Sequence, residues 1–266
     1  MQRIEKTFAQ LRVARRAALI PYLTAGDPSL EATEALVPVA EAAGADLLEL
    51  GVPFSDPLAD GATIQRASQR ALARGVTLRK ILHLVARIRP RTEMPLVLMT
   101  YYNPILRAGP DAFVAEAAAA GLDGVIVPDL PPEEAGPLRA APRAAGLAPI
   151  FLAAPTSTDA RLRLICEASE GYIYAVSLRG VTGARATLPA DLGAQVARLR
   201  AHTTKPVAVG FGISTPAQAR QVAAVADGVI VGSALVGLVE QSGRGEALAA
   251  AVAAFLRGLR DGMEAG

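Results

Sequence analysis

The sequence predicts an α/β protein built as a single (β/α)8 barrel with an extra helix at its N-terminus. Short apolar runs alternate along the chain with longer segments of helical periodicity. The runs are apolar on both faces, which is typical of parallel strands covered by helices. The length of 266 residues suits one such barrel, and no linker or low-complexity segment divides it, so we assign residues 1–266 to one domain.

The predicted elements follow in order from the N-terminus. Ile4, Phe8 and Leu11 recur at helical spacing and predict an amphipathic helix before the first strand. Eight strand-like runs come after it, at residues 18–23, 46–52, 96–101, 124–127, 148–152, 172–177, 207–209 and 228–231. Eight strand–helix units close naturally into a TIM barrel.

The helices between these runs carry recognisable end signals. Thr77 is placed to cap a helix, and Thr215-Pro216 combines a cap with a proline in the first helical turn. Glycines stand where several helices should end, at Gly44, Gly75, Gly121 and Gly146. An open, doubly wound sheet is the alternative, but the first turn, residues 24–27, lacks its glycine-rich fingerprint. Pro21 is unfavourable within a strand because it removes a hydrogen-bond donor.

Composition argues against several classes of partner. Lysine plus arginine number 27 against 25 for aspartate plus glutamate, which disfavours nucleic acid and anionic membranes. The single cysteine, Cys166, rules out an internal disulfide and fits a cytoplasmic protein. Residues 1–16 are too charged for a secretory signal. No apolar run approaches the roughly 18 residues of a membrane span.

Glu49 is the first candidate catalytic residue. It lies near the end of the second run, where strand alternation puts it on one face with Leu47 and puts Leu48 on the other. If that face is the barrel interior, burial raises the pKa of the carboxyl and suits it to acid–base chemistry near neutral pH. A surface or ion-paired glutamate is the alternative.

Two further acids follow in the proline-stiffened loop 53–61. Asp56 and Asp60 could each be a turn residue, and Asp60 could simply cap the helix that contains Ile64. Function in this fold belongs to the C-terminal ends of the strands. Asp60 and Glu49 therefore suggest one site.

Two late turns have the composition of a phosphate site. The seventh run leads into residues 210–214, Gly-Phe-Gly-Ile-Ser, and the eighth leads into Gly232-Ser233 at the start of a helix. Glycines let backbone N–H groups approach an anion, and a helix N-terminus adds positive potential. Ordinary tight turns are the alternative. The stretch 177–185 after the sixth run could be a lid or a plain mobile loop.

Lysines and histidines are predicted to lie away from this end of the barrel. Lys6 and Lys80 fall on helical segments and Lys205 precedes the seventh run, which disfavours a Schiff-base mechanism. His83 and His202 fall on a helix and just before a strand, so no metal centre is expected. Acid–base chemistry by carboxylates is the mechanism that remains.

Several stretches resemble one known family. Residues 49–61, Glu-Leu-Gly-Val-Pro-Phe-Ser-Asp-Pro-Leu-Ala-Asp-Gly, are similar to the signature of the tryptophan synthase α subunit, and the likeness covers residues 4–260. Matching stretches also occur at 21–28, 99–105, 127–131, 180–183, 210–213 and 232–234. The resemblance implies a TIM barrel that cleaves indole-3-glycerol phosphate to indole and glyceraldehyde 3-phosphate by a retro-aldol reaction.

The resemblance also implies roles for individual residues. Glu49 would be the general acid and base, and Asp60 would hold the indole N–H and stabilise positive charge on the ring. Tyr174 matches a tyrosine beside the catalytic glutamate, and Thr182 matches a lid residue linked to loop closure. The other substrate-binding positions would be Tyr22, Thr100, Tyr102, Ile126, Gly183, Phe211, Gly212, Gly232 and Ser233.

A partner follows from the same resemblance. Members of this family bind a β subunit, which receives indole through a tunnel and uses pyridoxal phosphate, and an alpha2beta2 complex is expected. No cofactor is expected in this chain itself. The contact face would include Pro53, Asp56, Asn103 and Pro104. The alternatives are a lyase that works alone, a subunit without catalytic activity that activates its partner, and a related phosphosugar isomerase.

Overall fold

A sheet of parallel strands is the centre of the fold. The computed structural model describes residues 2–176, 191–210 and 212–265, and its strands are β1 (Ala18–Thr24), β2 (Leu48–Gly51), β3 (Leu96–Met99), β4 (Gly124–Ile126), β5 (Ala148–Ile150), β6 (Leu152–Ala153), β7 (Ile173–Val176), β8 (Val207–Gly210) and β9 (Gly228–Val231). They lie in the order β5-β4-β3-β2-β1-β9-β8-β7-β6. Only Phe151 separates β5 from β6, so the chain itself joins the two ends of the sheet and closes the barrel.

Helices surround the sheet and link its strands. They are α1 (Gln2–Val13), α2 (Leu30–Ala42), α3 (Ala62–Ala73), α4 (Leu78–Ile88), α5 (Tyr102–Ala108), α6 (Pro110–Ala120), α7 (Pro137–Ala144), α8 (Asp159–Ala168), α9 (Leu192–Arg200), α10 (Pro216–Ala223), α11 (Ser233–Gln241) and α12 (Gly245–Glu264), with a 3-10 turn at Arg89–Arg91. The predicted (β/α)8 TIM barrel with an N-terminal helix is confirmed. In the ranges that the structure describes, no helix combines the length and the apolar character that a membrane span needs.

Local signals in the sequence account for most element boundaries. Thr77 Oγ1 accepts a hydrogen bond from the Lys80 N–H at 3.4 Å, and Thr215 forms a capping box with Gln218. The glycines predicted to end helices have positive φ angles, at Gly44, Gly75, Gly121 and Gly146. The fifth predicted run is divided at Phe151 into β5 and β6. Pro21 lies within β1, inside the predicted first run, and β1 pairs with β2 on one side and with β9 on the other.

The strand side chains divide between two apolar layers. Leu48 packs toward the surrounding helices, whereas Leu47 belongs to the cluster inside the barrel. This interior cluster also contains the buried residues of α1, which are Ile4, Phe8 and Leu11. The N-terminal helix therefore closes the end of the barrel at which the strands begin, and the opposite end is left for a site.

Carboxylates at the N-terminal end of the barrel hold strand backbones. Asp46 Oδ2 accepts a hydrogen bond from the Leu19 N–H at 2.8 Å, and Asp123 Oδ2 accepts one from the Leu96 N–H at 2.9 Å. Arg89 Nη1 pairs with the same Asp123 oxygen at 2.9 Å. These acids are engaged in structural contacts, which distinguishes them from the acids at the other end of the barrel.

Candidate active site

A cleft opens at the C-terminal ends of the strands and holds about 510 Å³ of empty space, part of which is open to solvent. Its lining residues come from strand ends and the loops that follow them: Tyr22, Ala59, Asp60, Ile64, Met99, Pro128, Leu152, Tyr174, Gly212, Ile230, Gly232 and Ser233. Most of the wall is apolar, and Asp60 is its one ionisable carboxyl among the described residues. The cleft is thus suited to an apolar ring with a few polar substituents.

Glu49 is fully buried inside the barrel. It lies in β2 opposite Tyr22 of β1, and its side chain has 0% exposed surface. Glu49 Oε1 accepts a hydrogen bond from the Tyr172 hydroxyl at 2.8 Å, whereas Oε2 has no partner among the described residues. Burial raises the pKa of Glu49 to about 8, and the hydrogen bond from Tyr172 opposes this rise. Glu49 therefore holds a proton at neutral pH beside a residue that lines the cleft.

The buried carboxyl makes the stability of the protein depend on pH. Because the folded state raises the pKa of Glu49 from 4.5 to about 8, its stabilising contribution is full below about pH 4.5 and is lost as the pH rises to about 8. We expect Glu49→Gln to raise the melting temperature relative to the wild-type protein by more at about pH 8.5 than at about pH 5.5. Thermal melting of both proteins at both pH values checks this. An equal difference at the two pH values would contradict it.

Tyr172 is a residue of the site that the sequence analysis missed. It lies just before β7, is buried, and packs its ring against Phe8 of α1 with ring centroids 5.8 Å apart. Its hydroxyl reaches Glu49 on the far side of the barrel interior. The sequence shows a tyrosine at the start of an apolar run, which is the only local signal of a buried polar contact. Nothing local indicates that its partner lies in β2.

Asp60 faces the cleft from the loop that precedes α3. The N-cap of α3 is Gly61, so the alternative in which Asp60 caps this helix is wrong. The backbone carbonyl of Asp60 accepts a hydrogen bond from the Gln65 amide at 2.8 Å. Burial raises the pKa of the Asp60 carboxyl, and a hydrogen bond with Tyr101 counteracts that rise.

Two tyrosines form part of the wall between Glu49 and Asp60. Burial raises the pKa values of Tyr22 and Tyr174 above the usual range, and the nearby carboxyls raise them further. A Cβ atom on Gly51 would lie 1.9 Å from the Tyr22 hydroxyl, and one on Gly210 would lie 2.5 Å from the Tyr174 hydroxyl. Glycine at the end of each neighbouring strand therefore provides the space for the ring.

Gly212, Gly232 and Ser233 line the same cleft. Gly212 has a φ of 86°, a conformation that L side chains rarely adopt. Gly232 is the N-cap of α11 and provides no side-chain cap, so backbone N–H groups at this helix N-terminus can bind an anion. The other predicted binding residues of these loops, Thr182, Gly183 and Phe211, lie outside the described residues.

Three predicted substrate-binding residues do not line the cleft: Thr100, Tyr102 and Ile126. Thr100 and Ile126 are buried, and the Tyr102 N–H donates to Asp129 Oδ1 at 2.9 Å. The wall contains instead apolar residues of the strands, among them Met99, Leu152 and Ile230. Strand alternation near the end of each apolar run is the signal that could have found them.

The residues predicted to contact a partner lie on adjacent segments. Asp56 and Asn103 are exposed, Pro104 is half-buried and Pro53 is buried. The two segments meet where the rings of Phe54 and Tyr101 stack, with centroids 5.1 Å apart. Each segment also carries an exposed leucine, since Leu58 is 84% exposed and Leu106 is 55% exposed. Across the described ranges, no cluster of histidine, cysteine and acidic residues is arranged to hold a metal ion.

Comparison with known sequences identifies relatives along almost the entire chain. The family model described as tryptophan synthase alpha chain matches residues 8–264. The tryptophan synthase alpha chain of Geobacter sulfurreducens is 54% identical, over 98% of this chain and 98% of its own length. That of Geotalea uraniireducens is 53% identical, over 100% of this chain and 99% of its own length.

Solved structures share the fold. Tryptophan synthase subunit alpha from Legionella pneumophila matches with a TM-score of 0.92 and 42% identity, and the match covers 99% of both chains. A chain of Mycobacterium tuberculosis tryptophan synthase matches with a TM-score of 0.91 and 43% identity, over 99% of this chain and 98% of that one. This protein therefore belongs to the tryptophan synthase alpha chain family.

Proposed function

We propose that Glu49 and Asp60 are the catalytic residues with which this chain cleaves indole-3-glycerol phosphate to indole and D-glyceraldehyde 3-phosphate. The lyase reaction follows from family membership. The assignment of the residues rests on one observation above all. Glu49 is a fully buried carboxyl with a pKa raised to about 8, beside the apolar cleft at the C-terminal ends of the strands.

Glu49 is proposed to act first as an acid and then as a base. Near neutral pH its carboxyl is protonated and delivers that proton to C3 of the indole ring. The resulting carboxylate accepts the proton of the glyceryl hydroxyl while the carbon–carbon bond breaks and its electron pair returns to the ring. The proton given up is thereby recovered in the same turnover. Oε2, which has no partner among the described residues, is the oxygen left for the substrate.

Asp60 is proposed to accept a hydrogen bond from the indole N–H. Protonation at C3 places positive charge on the ring nitrogen, and an adjacent carboxylate stabilises that charge. The apolar surroundings of the cleft lower the local dielectric constant and strengthen the interaction. Ile64, Met99 and Ile230 provide apolar surface for the ring.

The glycine-lined end of the cleft is the proposed phosphate site. Gly212 and Gly232 permit a close approach of the backbone, and the N-terminus of α11 at Ser233 adds positive potential. Tyr22 and Tyr174 of the cleft wall are also proposed to bind substrate. The same role is proposed for Thr100, Tyr102 and Ile126, and for three residues outside the described ranges, Thr182, Gly183 and Phe211.

A β subunit is the partner that family membership implies. We propose an alpha2beta2 complex in which indole passes to the β subunit, whose pyridoxal phosphate serves the following step. The exposed Leu58 and Leu106 are adjacent to the predicted contact residues and supply apolar area for this interface. The proposed chemistry of this chain uses its side chains alone.

Removing the Tyr172 hydroxyl is expected to raise the pKa of Glu49. That hydroxyl donates to Glu49 Oε1 and stabilises the ionised form, so Tyr172→Phe should favour the protonated carboxyl further. The transition that Glu49 produces in the pH dependence of kcat should move to higher pH. Indole release measured across pH in wild-type and Tyr172→Phe protein checks this. A transition that stays in place, or moves to lower pH, would show that the hydrogen bond has no such effect.

Addition of indole-3-glycerol phosphate to the purified chain, with indole release as the readout, tests the function directly. Release by the chain on its own, increased by a β subunit, supports the proposal. Release that the β subunit leaves unchanged would favour the alternative of a lyase that works alone. The absence of indole release both with and without the β subunit would favour a silent activating subunit.

A further inference from the structure

Tyr101 holds the loop that carries Asp60 at two points. It lies directly after β3, is 4% exposed, and its hydroxyl oxygen accepts a hydrogen bond from the Ala59 N–H at 2.9 Å. Its ring stacks on Phe54, with centroids 5.1 Å apart and planes inclined by 28°. One side chain therefore contacts both the beginning of this loop and the residue just before Asp60.

The same hydroxyl has a proton left to donate. A phenol can accept one hydrogen bond while it donates another. The carboxyl of Asp60, the residue after Ala59, is the acceptor that we infer for this proton, in line with the effect of each group on the pKa of the other. This hydrogen bond lowers the pKa of Asp60 and so offsets part of the rise that burial causes. Tyr101 thus acts on both the position and the charge of that carboxyl.

The other groups that face Asp60 do not replace this donor. Tyr22 of β1 and Tyr174 of β7 are close enough for Asp60 to raise their pKa values, and burial keeps both neutral. Glu49 of β2 raises the pKa values of the same two tyrosines. No lysine or arginine in the described ranges contributes to the pKa of Asp60.

We propose that Tyr101 is a positioning residue for the lyase reaction, which holds the loop at Phe54 and Ala59 so that the Asp60 carboxyl faces the indole N–H. The inference rests on the proposed function of Asp60. Tyr101 does not line the cleft, so it acts on the substrate only through Asp60 and the backbone of Ala59. Tyr101 lies within the stretch 99–105 that resembles the family, but the resemblance implies substrate-binding roles only for its neighbours Thr100 and Tyr102.

Tyr101→Phe is the direct test, because it keeps the ring on Phe54 and removes only the hydroxyl. In the full-length protein with indole-3-glycerol phosphate, we expect kcat to fall about 10- to 100-fold, the effect of one hydrogen bond to a charged group, with a smaller change in KM. The acid limb of the pH–rate profile, which reports Asp60, should move to higher pH. Wild-type kcat together with an unmoved acid limb would overturn the inference.

A double-mutant cycle with Asp60→Asn shows whether Tyr101 acts through Asp60. If it does, Tyr101→Phe costs much less activity in the Asp60→Asn background than in the wild-type protein. If the two substitutions lower kcat independently, the double variant shows the product of the two single effects, and that result would overturn the inference. The cycle also separates two failures. Full activity of Asp60→Asn would contradict the proposed function of Asp60, whereas loss of activity in Asp60→Asn without any loss in Tyr101→Phe would contradict only the role of Tyr101.

Two further variants separate positioning from general destabilisation. Phe113→Leu removes a buried ring on α6, away from the cleft, and should lower the melting temperature without moving the acid limb. Phe54→Leu keeps the Tyr101 hydroxyl but loosens its ring, and should move the acid limb in the same direction by a smaller amount. If Tyr101→Phe fails to fold, Phe54→Leu carries the test, and an unmoved acid limb in that variant would overturn the inference.

Discussion

Glu49→Gln is expected to lower kcat for indole release by about 100- to 10 000-fold, the usual contribution of a general acid–base group. Glutamine has nearly the same shape and can still accept the hydrogen bond from Tyr172. It can neither deliver a proton to C3 nor accept one from the glyceryl hydroxyl. Steady-state kinetics with indole-3-glycerol phosphate, together with equilibrium binding of the substrate, measure the two effects separately.

Substrate affinity should change little in this variant, because the proton transfers proposed for Glu49 occur in the reaction and not in substrate binding. Glu5→Gln on α1 is a matched control, since Glu5 is exposed and lies at the opposite end of the barrel. It should retain wild-type kcat. If Glu49→Gln kept wild-type turnover, Glu49 would not be the acid–base residue, and the buried carboxyl would have only a structural role.

Asp60→Asn is expected to lower kcat by about 100- to 1000-fold, comparable to the removal of one preorganised electrostatic contact from a transition state. The amide keeps an oxygen that can accept from the indole N–H, but it carries no charge to stabilise the protonated ring. Because that charge develops only during the reaction, the main effect should fall on kcat rather than on KM.

Asp111→Asn on α6 is the control for this variant, because Asp111 is an exposed carboxylate in a first helical turn away from the cleft. It should leave kcat unchanged. A rise in KM at constant kcat in Asp60→Asn would mean that Asp60 contributes equally to the binding of substrate and transition state. That outcome would contradict its proposed role in charge stabilisation.

The two carboxyls differ because their surroundings differ. Glu49 is fully buried and accepts one hydrogen bond from Tyr172, and its pKa rises to about 8. Asp60 lies at the cleft, where the hydrogen bond with Tyr101 favours its ionised form. In the proposed mechanism Glu49 holds a proton and Asp60 acts as a carboxylate, which is a pair suited to acid–base catalysis on a substrate that becomes positively charged.

The order of strands and helices could be predicted from the residues themselves. Apolar runs, helical periodicity, the threonine caps and the helix-ending glycines are local features, so each can be recognised within a few residues of the chain. Once eight strand–helix units are counted, the barrel places every strand end on one side. For this reason the sequence predicts that Glu49, Asp60, Gly212 and Gly232 lie at one end of the barrel.

The tyrosine contacts that affect the pKa values of Glu49 and Asp60 depend on the tertiary structure. Tyr172 and Glu49 are 123 positions apart, and Tyr101 and Ala59 are 42 apart. Neither pair belongs to a local pattern, because each depends on closure of the barrel or on the path of a loop. Side-chain type indicates what a residue is able to bind, but only the packing of β2, β3 and β7 determines which hydroxyl reaches which carboxyl. For that reason the sequence identified the acids, and the fold determined which of them holds a proton.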